Sequence, residues 1–270
     1  MPEGHTLHRL ATSLREAFAG EVVGVTSPQG RFAESAALLD GTRLLGAESY
    51  GKHLFVEFDQ ARLVHVHLGL YGKFPVLPGP APTPVGQVRM RLVGGSSYAD
   101  LRGATACELI TATERDAVRA RLGPDPLDPG AEPERAWARI RTSRAPIGGL
   151  LMDQSVLAGV GNVYRAEVLF RHRMHPLRPG RTLRVGQWRA MWDDLVALMA
   201  DGVRSGRIET LRAEDQESGQ GLEDVRNYVY RRTGQPCLVC GATIRTAELQ
   251  GRNLFWCPRC QPAFRSRALR

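Results

Sequence analysis

The sequence predicts an α+β protein in two parts, and three patterns carry that prediction. Apolar residues recur at helical spacing over the first eighteen positions. Those of the next stretch alternate with period two, and those beyond a proline-rich break return to helical spacing before a cluster of four cysteines. The fold class expected is an N-terminal antiparallel β-sandwich opened by a helix, then a helical domain closed by a four-cysteine hairpin. At 270 residues the chain is long enough to bury two cores.

The first element is a helix from Pro2 to Phe18, with Leu7, Leu10, Ala11, Leu14, Ala17 and Phe18 on one face and Gly20 as its stop. Strands follow, in which Leu54, Val56 and Phe58, then Val64, Val66 and Leu68, then Val88, Met90 and Leu92 alternate with residues facing the other way. Together they predict a two-layer sandwich over residues 1–122. Pro124, Pro126, Pro129, Gly130 and Pro133 mark a linker at 123–134. Helical spacing resumes in Ile147, Leu150, Leu151 and Met152, again in Val163, Ala166, Leu169 and Phe170, and then from about Leu183 to Met199. Residues 135–232 are therefore read as a helical domain.

Residues 233–270 hold Cys237-Leu-Val-Cys240, sixteen further residues, then Cys257-Pro-Arg-Cys260. Two such knuckles close a tetrahedral site of four thiolates, the arrangement of one structural zinc ion. A site with every position filled by thiolate leaves no place for water, so the metal folds the segment rather than catalyses. Ala242-Thr243-Ile244 and Leu254-Phe255-Trp256 read as the two strands of a hairpin with Arg252 near its tip. Cys107, the fifth cysteine, reads as a small buried apolar residue.

Net charge is +8, and the surplus is uneven: 13 Lys+Arg against 14 Asp+Glu up to residue 130, 23 against 14 beyond it. That imbalance favours a polyanion, nucleic acid first, over a merely solvated basic surface. No stretch approaches the ~18 apolar residues of a membrane span, and the N-terminus lacks the apolar core of a secretory signal. A cytoplasmic location is expected.

The candidate chemistry begins at Met1-Pro2-Glu3-Gly4. Removal of Met1 exposes Pro2 as a secondary amine, and a free α-amine titrates near ~7.7–8.0 against ~10.4 for lysine. Its adduct with a sugar carbon is a cationic iminium, and Glu3 can serve as the acid or base that such chemistry needs. Proline at the first helical position with glutamate in the first turn is also how an ordinary helix begins. Of 36 basic residues only Lys52 and Lys73 are lysines, and Lys52 stands at a turn before a strand, where a plain surface lysine equally fits. His65 and His67 share a strand face; with no third ligand evident, they read as a polar face rather than a metal site. Leu70 and Tyr71 lie between Gly69 and Gly72, either folding back onto the core or projecting as a wedge. Gly159-Val-Gly161-Asn162 is either an interhelical turn or an anion site at a helix start with Asn162 as its N-cap.

The Met-Pro-Glu-Gly start, Leu122-Gly-Pro-Asp-Pro-Leu127, Gly159-Val-Gly161-Asn162-Val-Tyr164 with Glu167, Val229-Tyr-Arg231, Gly234-Gln-Pro-Cys237 and the four cysteines span nearly the whole chain. In these the sequence resembles the formamidopyrimidine-DNA glycosylase and endonuclease VIII family. The resemblance implies a monomeric base-excision repair enzyme acting on damaged double-stranded DNA, and hence associated with the nucleoid. It implies both glycosylase and abasic-site lyase activity, and a helix-two-turn-helix over 135–232. Pro2 becomes the Schiff-base nucleophile, Glu3 the acid/base that assists sugar opening, and Lys52 a phosphate contact that assists catalysis. Asn162 and Arg252 become phosphate ligands, with β- and then δ-elimination breaking the strand. Leu70 and Tyr71 match the endonuclease VIII branch, whose wedge is commonly Gln-Leu-Tyr, although Gly69 replaces the Gln. That branch favours oxidised pyrimidines; a formamidopyrimidine/8-oxoguanine-type enzyme and a non-catalytic zinc DNA-binding protein are the alternatives. Residues 205–227, rich in Gly and charge, are expected to form the lesion-reading loop.

Overall fold

Apolar burial, more than intrinsic propensity, sets where the elements form. In the computed structural model, which describes residues 2–217 and 225–264, α1 (Gly4–Phe18) buries Leu7, Leu10, Ala11, Leu14 and Phe18. Burying such a side chain stabilises by about 1.5–3 kcal/mol, so the helix is held by its tertiary face. Gly20, at φ +86°, turns the chain out of it.

Eight strands follow within a unit that ends at Arg121. They are β1 (Val22–Thr26), β2 (Thr42–Tyr50), β3 (His53–Phe58), β4 (Arg62–His67), β5 (Val76–Pro78), β6 (Met90–Val93), β7 (Ser97–Leu101) and β8 (Ala106–Ile110), with α2 (Ala33–Leu39) before β2. Their order is β5-β7-β6-β1-β2-β3-β4-β8, and every pairing is antiparallel. The corner is β1, where Val22 and Val23 pair with β2 while Gly24, Val25 and Thr26 pair with β6. Val25, Met90, Leu92 and Leu101 on one side of this corner share a single core with Leu44, Leu54, Val56, Phe58 and Val64 on the other. That is the two-layer sandwich that the alternating pattern predicts. A capping box between Thr111 and Glu114 starts α3 (Ala112–Ala120).

The second unit begins at Leu122. It contains α4 (Pro133–Ile140), α5 (Ile147–Leu150), α6 (Asn162–Arg171), α7 (Val185–Ser205), α8 (Ala213–Glu217) and the hairpin of β9 (Arg245–Leu249) and β10 (Arg252–Trp256). Trp188, Met191, Leu195 and Met199 of α7 pack with Tyr164, Val168 and Leu169 of α6 in one core. The helix runs past Met199 to Ser205, where Gly206 at φ +74° ends it. The hairpin's first strand begins later than its sequence suggests. Ala242 and Thr243 are committed to the first cysteine knuckle, where Cys237 N–H donates to the Ala242 carbonyl at 2.9 Å and Thr243 bridges Pro236. The stretch expected to read the lesion falls partly on residues 218–224, which lie outside the described residues.

Candidate active site

Pro2 is half-buried and lies before the helix, not in its first turn. Glu3 occupies the N-cap position with φ −119° and ψ 178°, yet its side chain makes no capping hydrogen bond, and the residue is 0% exposed. The first turn contains no acidic residue. An ordinary proline-led helix start is therefore not what these residues form. His5, also buried, is pushed down to about 4, chiefly by burial, and is neutral near pH 7.

Two contacts fix the direction of α1. Gly20 N–H donates to the Leu44 carbonyl at 2.8 Å, and Arg15 Nη1 donates to the Ala47 carbonyl at 2.7 Å, so the helix runs antiparallel to β2. From Arg15 back to Glu3 is a rise of about 18 Å, and from Ala47 on to Lys52 about 17 Å. The helix start and the β2–β3 turn are thus directed to the same end of the sandwich.

At that turn Tyr50 pairs with His53, and Gly51 takes φ +59°, a conformation that favours glycine, leaving Lys52 half-buried beside it. The strand register then assembles a cluster that the sequence reading missed. His53 lies opposite His67, and His65 lies opposite Glu108. His53 Nδ1 and His65 Nε2 are 2.9 Å apart, and the two rings stack at 5.1 Å. His67 Nδ1 is 2.8 Å from Thr105 Oγ1, and its ring is 5.0 Å from that of His53. Burial lowers all three imidazoles; His53 falls to about 3, helped by the charges of its histidine neighbours, Arg121 and Lys52. The signal was present in the chain as His53, but only cross-strand pairing makes it a neighbour of His65 and His67.

Leu70 is 38% and Tyr71 84% exposed, so the aromatic projects instead of packing inward. The tip is tight: Gly72 N–H donates to the Leu68 carbonyl at 3.0 Å, and a Cβ on Gly72 would stand 2.2 Å from that oxygen. Gly69 sits at φ +65° with Thr105 Cγ2 2.5 Å from where its Cβ would be. Thr105 is itself tied to His67, donating to its carbonyl at 3.0 Å. A side chain at position 69 in this conformation would therefore meet Thr105 and a left-handed backbone at once.

In the second unit, Gly161 and not Asn162 caps α6; Asn162 is the first helical residue and is 7% exposed. Its Oδ1 accepts from Arg165 Nη2. The buried guanidinium of Arg165 needs acceptors, and it also reaches the Asn253 carbonyl at 2.9 Å and the Gly148 carbonyl at 3.3 Å. Asn253 adjoins Arg252, which is exposed and follows a Gln250-Gly251 turn with both residues left-handed, at φ +52° and +70°. Arg165 therefore links the Asn162 helix start to the hairpin tip. The preceding turn is pinned by Gln154, which accepts from Gly159 N–H at 3.0 Å and donates to the Val160 carbonyl at 2.9 Å.

Glu167 is 0% exposed and accepts from Thr210 Oγ1 at 2.6 Å and from the N–H groups of Tyr228, Val229 and Tyr230 at 2.7, 2.9 and 2.8 Å. It thereby fastens the segment that leads into the cysteines. The four Sγ atoms of Cys237, Cys240, Cys257 and Cys260 lie within 4.8 Å of one another, with Cys237–Cys260 at 3.9 Å and Cys240–Cys257 at 3.4 Å. Four thiolates about 2.3 Å from a tetrahedral zinc stand about 3.8 Å apart, so the donor set and its spacing fit that ion.

Residues 1–107 match the formamidopyrimidine-DNA glycosylase N-terminal domain, 122–213 the formamidopyrimidine-DNA glycosylase H2TH domain, and 234–263 the zinc finger found in FPG and IleRS. Endonuclease 8 1 of Mycobacterium tuberculosis (strain ATCC 25618 / H37Rv) is 57% identical over 267 residues, covering 97% of this chain and 100% of the relative. The chain belongs to the formamidopyrimidine-DNA glycosylase and endonuclease VIII family. Membership makes it a DNA glycosylase with abasic-site lyase activity, on its endonuclease VIII-like side. A formamidopyrimidine-DNA glycosylase of Methylococcus capsulatus is 37% identical, covering 85% of this chain and 86% of its own. The Lactococcus lactis Fpg in complex with abasic-site DNA superposes with a TM-score of 0.81 over 97% of this chain and 100% of that one, at 21% identity, a likeness of fold. Among the described residues, no helix is long and apolar enough to cross a membrane.

Proposed function

We propose that this enzyme excises oxidised bases, pyrimidines before purines, from double-stranded DNA and cleaves the strand through the α-amine of Pro2. The observation that carries the reading is the N-terminus: Pro2 lies outside the helix, next to a buried Glu3 carboxylate that is not spent on capping it. With Met1 removed, the Pro2 amine displaces the damaged base at C1′, the base leaving with the amine's proton, while Glu3 in its carboxylic-acid form protonates the ring oxygen and opens the sugar to the iminium. The resulting iminium is cationic and acidifies the C2′ hydrogen, so the 3′-phosphate leaves by β-elimination and the 5′-phosphate by δ-elimination. Lys52 holds a phosphate near the reacting sugar, and Asn162 and Arg252 hold further phosphates.

Extrusion of a base costs a few kcal/mol of stacking, and Leu70 and the exposed Tyr71 fill the space it leaves. This pair, and the 57% likeness to a protein named endonuclease 8 1, support the pyrimidine preference. Zinc, one ion per chain, folds the finger of residues 233–270 and takes no part in the chemistry. The remaining parts are a catalytic sandwich at 1–122, a linker at 123–134 and the DNA-binding helices at 135–232. The enzyme works as a cytoplasmic monomer at the nucleoid.

The test is borohydride trapping on abasic-site DNA. The mature protein should give a covalent adduct, and a protein extended by one residue before Pro2 should give none, because its amine is acylated. An adduct with the extended protein removes Pro2 as nucleophile. Single-turnover excision faster on 8-oxoguanine than on thymine glycol and 5-hydroxyuracil removes the pyrimidine preference.

A further inference from the structure

We propose that His53, His65 and His67 form a second metal site, for a divalent transition cation such as zinc, cobalt or nickel, separate from the four cysteines. The strand β4 places His65 and His67 two residues apart on one face, and the register with β3 sets His53 opposite His67. Two ligands at spacing two on one strand and a third across the ladder give three imidazoles on one patch of sheet. Imidazole nitrogens suit these cations, and carboxylate or hydroxyl groups behind them fix the rings.

The spacing supports this reading. His53 Nδ1 and His65 Nε2 are 2.9 Å apart. Two nitrogens bound at 2.0–2.1 Å to a tetrahedral ion stand about 3.3 Å apart, so binding opens this pair by about 0.4 Å and moves the hydrogen between them to the donor ring's other nitrogen, freeing both lone pairs for the ion. One group behind the rings is in hydrogen-bond contact and another stands nearby. Glu108 Oε2 lies 4.0 Å from His65 Nδ1, the nitrogen that does not face His53. Thr105 Oγ1 gives its hydrogen to the His67 carbonyl at 3.0 Å and is left to accept from His67 Nδ1 at 2.8 Å, which keeps the lone pair on Nε2. The Gly69 amide, at 3.2 Å, is the weaker competitor for that Nδ1.

The third nitrogen closes the set only on binding. Among the described residues, the four cysteines are the group of three or more such ligands already gathered closely enough to hold an ion. His67, half-buried, has its ring 5.0 Å from that of His53, and its side chain must move toward His53 for Nε2 to reach the ion, loosening the contact with Thr105. The ion then takes water or a phosphate oxygen as its fourth ligand, one residue along the chain from Lys52.

The experiment is a cobalt(II) titration of tag-free, zinc-loaded, full-length protein followed by visible absorption. One added equivalent should bind with weak d–d bands and without thiolate charge transfer. His53→Gln and His65→Gln should each weaken that binding at least tenfold. No added equivalent, binding with charge-transfer bands, or binding unmoved by both histidine variants overturns the proposal. Imidazole nitrogen NMR of the unaltered protein during zinc titration guards against variants that misfold. Three of the 7 histidines should shift together; shifts confined to other rings, or none, overturn the site.

Discussion

Replacing Glu167 with glutamine removes a buried anion from the middle of four donors. In the native protein, Oε2 accepts from Thr210 Oγ1 and Tyr228 N–H, and Oε1 accepts from Val229 and Tyr230 N–H. Burial pushes this carboxyl up on balance; the four donors oppose that shift, and because all four partners donate, their geometry matches the charged form. Glutamine keeps one oxygen and turns the other into an NH2 that faces donors. If it replaces Oε2, the Thr210 hydroxyl can rotate to accept, but the Tyr228 amide is orphaned; if it replaces Oε1, two amides are. A buried orphaned amide costs about 1–3 kcal/mol and a hydrogen bond to a charged group contributes about 1.5–3, so the expected loss is about 2–5 kcal/mol. Against a typical domain stability of about 5–15 kcal/mol that is a large fraction. Urea unfolding followed through Trp188 and Trp192, which lie in the same unit, measures it. Amide exchange at residues 228–230 locates it. A change below about 0.5 kcal/mol, the range of an ordinary surface substitution, with those amides still protected, refutes the anchoring argument.

Three further outcomes are expected. Gly69→Gln, which restores the branch's side chain, should lower the melting temperature without speeding excision. The φ of +65° and the Thr105 contact cost about 1–2 kcal/mol of backbone strain and about 1–3 of overpacking, and an unchanged melting temperature contradicts this. Burial pushes the Asp194 carboxyl up, but hydrogen bonds from His172 and Arg171 outweigh it and hold it at about 2. A depressed carboxyl stabilises fully above its ordinary value of 3.8 and loses that contribution as pH falls toward 2, about 2 kcal/mol in all; Asp194→Asn should flatten that part of an acid-unfolding curve. Cys260→Ser should lose zinc and bind abasic-site DNA more weakly, and metal analysis still giving one zinc per chain contradicts it.

Local pattern was enough for much of this molecule. The 3.6-residue spacing of Leu7, Leu10, Leu14 and Phe18 and the alternation of Leu54, Val56 and Phe58 each report a buried face, and both faces are buried as expected. Cys237, Cys240, Cys257 and Cys260 were legible because metal geometry restricts spacing along the chain. What escaped depends on partners distant in sequence. Asn162 looks like a cap until Arg165, three residues on, is seen taking its oxygen on the way to Asn253. His53 gains meaning only from the register of β3 with β4. Tyr71 could face either way by its spacing, and the closeness of Gly72 to Leu68 is what turns the tip outward.

Arg165 has a consequence for how freely the C-terminal finger can be exchanged among related proteins. The guanidinium grips the hairpin by the backbone carbonyl of Asn253, an acceptor that any residue type supplies, while Gly149 stands 3.1 Å, measured from an added Cβ, from Gln250 Oε1. A grafted finger would therefore keep the Arg165 contact through its main chain, while the room at position 149 matters according to the side chain it carries at 250. Position 252 can be altered without touching that contact, whereas a shorter residue at 165 would lose it for any finger placed there.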